Sequence, residues 1–172
     1  MQTMMSTKFR NPLRHPLGAA PLAALLGASG CGGPKDIPLP DLGVTVTAPD
    51  GWSVEMARAS SIGAGGAELK KDGKTYGFID PKVVITLGAD AKAWPKDGPH
   101  TLEQLQAAFA PLQPESPESF ERGFGLRYAK QGKPHFQYVI VIDGKELSCT
   151  ANDHIAEADV ADAISICKSI RP

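Results

Sequence analysis

Chemistry in this chain would have to come from few side chains: Cys31, Cys149 and Cys167, the histidines His100, His135 and His154, the pair Ser60-Ser61, and the carboxylates Glu115, Glu118 and Glu121. The histidines lack metal-ligand spacing, since none has a second histidine three or four residues away or a paired cysteine. Ser60-Ser61 lacks the Gly-x-Ser-x-Gly elbow that exposes a serine nucleophile. The three glutamates stand in a proline-rich stretch, Pro114 to Ser119 and just beyond, which reads as a solvated loop without a packing role rather than an acid–base pair. One sharp enzyme hypothesis remains, Cys149 as nucleophile with His135 or His154 as its base. Whether that thiol is free depends on the elements that carry it.

Asp143-Gly144 lies between two apolar runs and predicts a two-residue type I′ hairpin, because both central residues of that turn need positive φ. Counting outward, Ile140 faces Leu147, Tyr138 faces Cys149 and Phe136 faces Ala151, so one face of the hairpin is apolar on both strands. After Asp153, Val160, Ala163, Ile164, Cys167 and Ile170 recur at helical spacing and predict a helix that covers this face. Asp153 is its expected N-cap, with Glu157 and Asp159 suited to the positive end. Cys149 and Cys167 then point into one layer, which predicts a disulfide pinning helix to sheet and disfavours the nucleophile.

The first thirty residues read as an address. Lys8, Arg10 and Arg14 precede a short apolar run, Leu17 to Leu26, that is broken by Pro21 and ends in small residues, as in a signal peptide. The run is well short of the roughly 18 to 20 residues a membrane-spanning helix requires. Leu25 to Gly33, LLGASGCGG, resembles the lipobox of bacterial lipoproteins, with Ser29 and Gly30 before Cys31 and Ala28 where that family usually has leucine. The resemblance implies that Cys31 is lipidated and becomes the first mature residue. Cysteine parity agrees: three cysteines less one leave a pair, as an oxidising compartment favours. Gly32 stands where aspartate would retain an enteric-type lipoprotein in the inner membrane, which implies a lipid-anchored protein of the bacterial envelope, at the outer membrane. The expected organisation is a signal peptide at 1–30, a lipidated cysteine and flexible tether at 31–40, and one domain at 41–172.

Beyond Cys31 the chain has 141 residues, enough for one domain with a real core. Three of its 18 basic residues lie in the leader, leaving 15 against 19 acidic, a net charge of −4 with no basic patch. Nucleic acid and anionic lipid are therefore poor partners on electrostatic grounds, and membrane binding falls to the anchor.

Along the domain, Leu42, Val44 and Val46, the turn Pro49-Asp50-Gly51, and Trp52, Val54 and Met56 predict a first hairpin. Ala57 to Gly66 is glycine-rich but is followed by a strand, so it reads as a loop rather than a phosphate cradle. Asp72-Gly73 predicts a second hairpin in which Leu69 faces Tyr76 and Ala67 faces Phe78. Val83 to Leu87 is apolar throughout and predicts a central strand. In the loop Gly88 to His100, Trp94 has two readings, contact with a partner or plugging of a core edge. Thr101 to Gln104 is a capping box opening a helix whose apolar face is Leu102, Leu105, Ala108 and Phe109, and which stops near Pro111. Phe124, Leu126 and Tyr128 alternate toward a third turn, Gln131-Gly132, and Pro134 removes a ladder donor, which predicts a bulge or longer loop there.

The sum is an α+β fold, an antiparallel sheet of about seven strands covered by helices. VTVTAPDGWSVEM, KVVITL, TLEQLQAAF and AISICKSI, in that order, resemble the PsbP-like group, which includes the extrinsic P subunit of photosystem II, a Ran-binding nuclear import factor and many bacterial lipoproteins. The resemblance implies a scaffold used to bind other proteins and carries no functional residue over to this chain. The expected function is a membrane-tethered, non-catalytic module that binds an envelope protein through its loops, with Trp94 as anchor, no cofactor and no metal. A carrier of a small apolar or lipid ligand between sheet and helix is the alternative, with a thiol-dependent enzyme third.

Overall fold

Three two-residue turns set the register of the sheet. Asp72-Gly73, Gln131-Gly132 and Asp143-Gly144 all have positive φ at both positions, between 49° and 75°, and are closed by the pairs Lys71–Lys74, Lys130–Lys133 and Ile142–Lys145. Glycine at the second position, and aspartate at the first in two of the turns, accept this backbone at low cost. The computed structural model describes residues 32–57, 65–83, 85, 94–96 and 99–172. The leader, Cys31 and most of the two long loops, Ser60-Ser61 included, lie outside the described residues.

Among the described residues nine strands and two helices follow in order: β1 Lys35–Leu39, β2 Val44–Ala48, β3 Trp52–Met56, β4 Ala67–Lys71, β5 Lys74–Asp80, α1 Leu102–Phe109, β6 Glu115–Phe120, β7 Gly123–Lys130, β8 Lys133–Ile142, β9 Lys145–Ala151 and α2 Glu157–Lys168. Seven form one antiparallel sheet in the order β3-β4-β5-β9-β8-β7-β6, and β1-β2 make a separate ribbon. The sheet is thus two meanders, β3-β4-β5 and β6 to β9, joined where β5 pairs with β9.

One face carries the larger core. Phe136, Tyr138 and Ile140 of β8, Leu147 and Cys149 of β9, and Leu69 and Ile79 of the first meander meet Val160, Ala163, Ile164 and Cys167 of α2 and Val44 and Val46 of β2. The ribbon is held by the chain's end: Thr45 and Arg171 exchange backbone hydrogen bonds of 2.8 and 3.0 Å, and the Arg171 guanidinium lies 2.5 Å from Asp36. On the opposite face α1 places Leu105, Ala108 and Phe109 against Phe124, Leu126 and Tyr128 of β7 and Val139 of β8. The capping box is formed, with Thr101 accepting from the Gln104 backbone and Gln104 accepting from the Thr101 backbone. After Phe109 the chain tightens into a single 3-10 turn, Ala110–Leu112, containing Pro111.

Several expectations are corrected. Lys35–Leu39, expected within the tether, pairs with β2, and the predicted β2–β3 hairpin is a corner between layers: β2 pairs with β1, and β3 with β4. Alternation reports which face of a strand is buried, and a hairpin and a corner leave the same trace. In the second hairpin the turn is as expected but the register is one step off, Leu69 pairing with Gly77 and Ala67 with Ile79, because a bulge passes over Tyr76. The bulge brings Ile79 fully into the core and lets Tyr76 meet Trp52 edge-on at 5.6 Å. Gly77 is required there, since a Cβ would lie 2.6 Å from the Thr150 carbonyl of β9.

Of the expected strand Val83 to Leu87, positions 84, 86 and 87 lie outside the described residues; Val83 and Ile85 are in no strand and pack on the smaller core. Glu115–Phe120, expected as a solvated loop, is edge strand β6, whose irregular register and Pro117 suit an edge. Pro134 causes no bulge, the β7–β8 ladder running through it unbroken. The N-cap of α2 is Ala156, without a side-chain bond. Asp153 is turned instead toward His135 and Lys130, at 3.4 and 3.6 Å. The third hairpin pair, Phe136–Ala151, falls beyond the ladder, which ends at Gln137–Thr150.

Candidate interaction surface

Cys149 and Cys167 form the expected disulfide: both are fully buried, with Cα atoms 5.8 Å apart and sulfurs at 2.08 Å. Cys149 therefore has no thiol to offer as nucleophile. Around it the layer between α2 and the sheet is filled by Phe136, Tyr138, Ile140, Ile164 and Ile166, where a carrier would hold its ligand. Tyr138, packed over Gly125, donates its hydroxyl proton to Glu118, which also accepts from Lys168 at 2.6 Å. Burial, then the Glu118 carboxylate, push the Tyr138 phenol well above its ordinary range. Desolvation of Glu118 is outweighed by the bonds from Lys168 and Tyr138, which hold its carboxyl below the usual value. These groups tie β6 to the last turn of α2.

The opposite face is different. His135, Gln137, Ser148 and Thr150 are buried polar residues, and Asp80 pairs with Ser148 across β5–β9. Gln137 donates to Ser148 at 2.7 Å, while its Oε1 is buried without a partner. Burial pushes the Asp80 carboxyl up to about 6. His135 stacks on Tyr128 and is held below its ordinary value by burial, which Asp153 partly opposes. Among the described residues no group of three or more His, Cys, Asp or Glu side chains could hold a metal ion.

Where this face meets the β8–β9 turn, a cluster forms that was not legible in the sequence. His100 directly precedes the N-cap Thr101, so α1 fixes its backbone. Its N–H donates to Glu146 Oε1 at 2.7 Å, its Nδ1 meets Glu146 Oε2, and its Nε2 lies 3.0 Å from the Pro95 carbonyl. Trp94 stacks on the imidazole, centroids 4.0 Å apart and planes 3° off parallel. Beside it runs an open groove of about 630 Å3 lined by Pro99, His100, Val141, Gly144 and Glu146. Val141, 40% exposed, is the one exposed large hydrophobic side chain among the described residues.

Of the residues expected to act, Trp94 is thus half-buried and packed on the smaller core. It follows the second of its two readings while remaining beside the groove. His154 lines a separate open groove with Lys74, Tyr76 and Asn152, at the end of the sheet where β5 begins and β9 ends. Nothing in the sequence links His100 to Glu146, 46 positions apart; the faint local signals were a histidine before a helix cap and an apolar residue next to a turn.

No family model matches this chain, and no curated protein matches it. Among solved structures it is similar to the solution structure of cyanobacterial PsbP (CyanoP) from Synechocystis sp. PCC 6803, at 13% identity and a TM-score of 0.46, over 91% of this chain and 98% of that one.

Proposed function

We propose that this protein is a non-catalytic binding module, tethered to a bacterial envelope membrane by a lipid on Cys31, that recognises another envelope protein with the end of the sheet bearing the Trp94–His100 segment. The observation that carries this reading is the fixing of His100, with Trp94 and Pro95 against its ring, to Glu146 of the β8–β9 hairpin beside exposed Val141. Preorganised loops on a rigid scaffold bind at lower entropic cost. The domain's polarity agrees. Lys35 pairs with Ala48 next to the turn into β3, whereas the groove lies at the other end of the strands, beside the β8–β9 turn. The chain thus enters the domain at the end of the strands opposite the groove.

The test is site-specific photocrosslinking in the native envelope with the probe at Val141, and at Lys74 on the opposite end as control. A discrete protein adduct from position 141, absent from position 74 and lost on Trp94→Ala, is the expected result. Equal labelling from both positions overturns the surface, and substrate turnover by the purified chain overturns the non-catalytic reading. Adducts with lipid alone would favour the carrier. Labelling with a tritiated fatty acid, lost on Cys31→Ser, checks the anchor.

A further inference from the structure

Arg127 carries a donor that the fold does not use. Its Nη2 donates to Glu157 Oε1 at 2.5 Å, while Nε is buried without an acceptor, the one side-chain donor so placed among the described residues. A buried N–H of a charged group without a partner is costly, and most such groups in folded proteins are bonded. Nε and Nη2 share one edge of the guanidinium, an edge that matches the two oxygens of a carboxylate, and Glu157 meets it with a single oxygen. Beside it runs an open groove of about 260 Å3, lined by Arg127, Glu115, Lys133, Glu157 and the small residues Ala129 and Gly132. Glu115 stands opposite Arg127 across β6 and β7, yet it is in no ion pair among the described residues. Lys133 donates to the Asp153 carbonyl at 3.1 Å and is exposed. Two cations and two anions therefore line the groove. A simple anion would meet the carboxylates and a simple cation the guanidinium, whereas a molecule bearing both charges answers each group in turn. The volume is below the roughly 300 Å3 at which sites for drug-sized ligands begin, which restricts the occupant to a small molecule.

We propose that this groove binds a small α-amino acid, whose carboxylate displaces Glu157 and accepts from both Nε and Nη2 of Arg127, and whose ammonium donates to Glu115. The exchange replaces a contact through one oxygen with one through two and satisfies the buried Nε. Glu157 yields at little cost, since its side chain is 69% exposed and an exposed ion pair is weak. Arg127 and Glu115 are cross-strand neighbours on one face of the sheet, and an α-amino acid holds its two charges on a single carbon, so one small molecule spans the pair. The groove lies at the β7–β8 turn, at the other end of β8 from Val141. It does not depend on the protein-binding function proposed above.

The test follows the Arg127 Nε–H resonance of the full 15N-labelled chain, assigned by Arg127→Lys, during titration with L-alanine. A saturable one-site shift is expected. Its affinity should be about fivefold weaker in Glu115→Gln, which loses the partner of the ammonium, and stronger in Glu157→Gln, which removes the competing carboxylate. Propionate and ethylamine, each bearing one of the two charges, should bind more weakly than L-alanine. Glu115 and Glu157 are both exposed, and amide shifts far from the groove check that each variant keeps the fold. An Nε–H signal that L-alanine leaves unmoved overturns the site. Propionate binding as tightly as L-alanine, or an affinity unchanged in Glu115→Gln, overturns the amino acid as its ligand. An affinity unchanged in Glu157→Gln overturns the exchange at Arg127.

Discussion

The two faces of the sheet are built on different terms. The face under α2 buries mainly aromatic and aliphatic side chains, with the Tyr138 hydroxyl bonded to Glu118, and is closed by the Cys149–Cys167 bond. The face under α1 mixes a small apolar cluster with a polar row, Asp80, Ser148, Gln137 and Thr150, and ends in the His100–Glu146 pair. Apolar burial is non-directional, so the first face gains stability from bulk packing. Buried polar groups stabilise only when each finds its partner, so the second face is conditional on contacts and protons. The difference assigns stability mainly to the first face and responsiveness to the second.

The largest expected effect breaks the first face. The disulfide spans a separation of 18 residues, for which chain entropy gives about 3 kcal/mol. Cys149→Ala with Cys167→Ala should lower the urea midpoint of unfolding accordingly. A midpoint within error of wild type would show that packing alone holds α2 and that the contrast between faces is smaller than stated.

A middle-sized effect of opposite sign is expected on the second face. A carboxyl whose folded-state value is raised binds more protons when folded, so its contribution falls as pH rises from the ordinary 3.8 through about 6. Asp80→Asn should therefore stabilise the domain above that window, by about 1–2 kcal/mol since solvent still reaches the group. The gain should vanish below about pH 3, under both values, where Asp80 is protonated in both states. Stabilisation independent of pH in the urea titration would mean that charge burial is not its cause.

The smallest effect sharpens the comparison. Gln137→Leu combined with Ser148→Ala removes both members of a buried bond together with the unpartnered Oε1, an exchange expected to fall within about 1 kcal/mol of neutral. Either single substitution should cost more than the pair. A strongly destabilised double variant by thermal unfolding would show the polar row to be a structural element in its own right.

How much of this was legible depended on whether the signal was local. The three glycine turns, the capping box of α1 and the partnership of Cys149 with Cys167 follow from steric rules acting over a few residues, and each stands in the structure. Tyr76 shows where counting fails. A bulge costs one residue and shifts the facing of everything beyond it, and Ile79 reached the core because burial there outweighed a regular ladder. Val83 and Ile85 show the ambiguity of an apolar run, since these two satisfy burial by packing on the smaller core without being in a strand. α2 begins after Ala156, which makes no side-chain cap bond, while Asp153 lies near His135 and Lys130.

By itself the sequence determined the α+β class, the three glycine-turn hairpins, the α1 start and the covalent pin, because these depend on backbone sterics and on periodicities of two and 3.6 residues that are written locally. Only the tertiary structure decided that β2 leaves the sheet to join β1, that β5 closes on β9, and that His100 comes to rest on Glu146. Those choices are made between surfaces far apart in the chain, where many pairings satisfy the same pattern and the winner is set by shape, by a close approach such as Gly77 on Thr150, and by hydrogen bonds that exist only once both partners are in place.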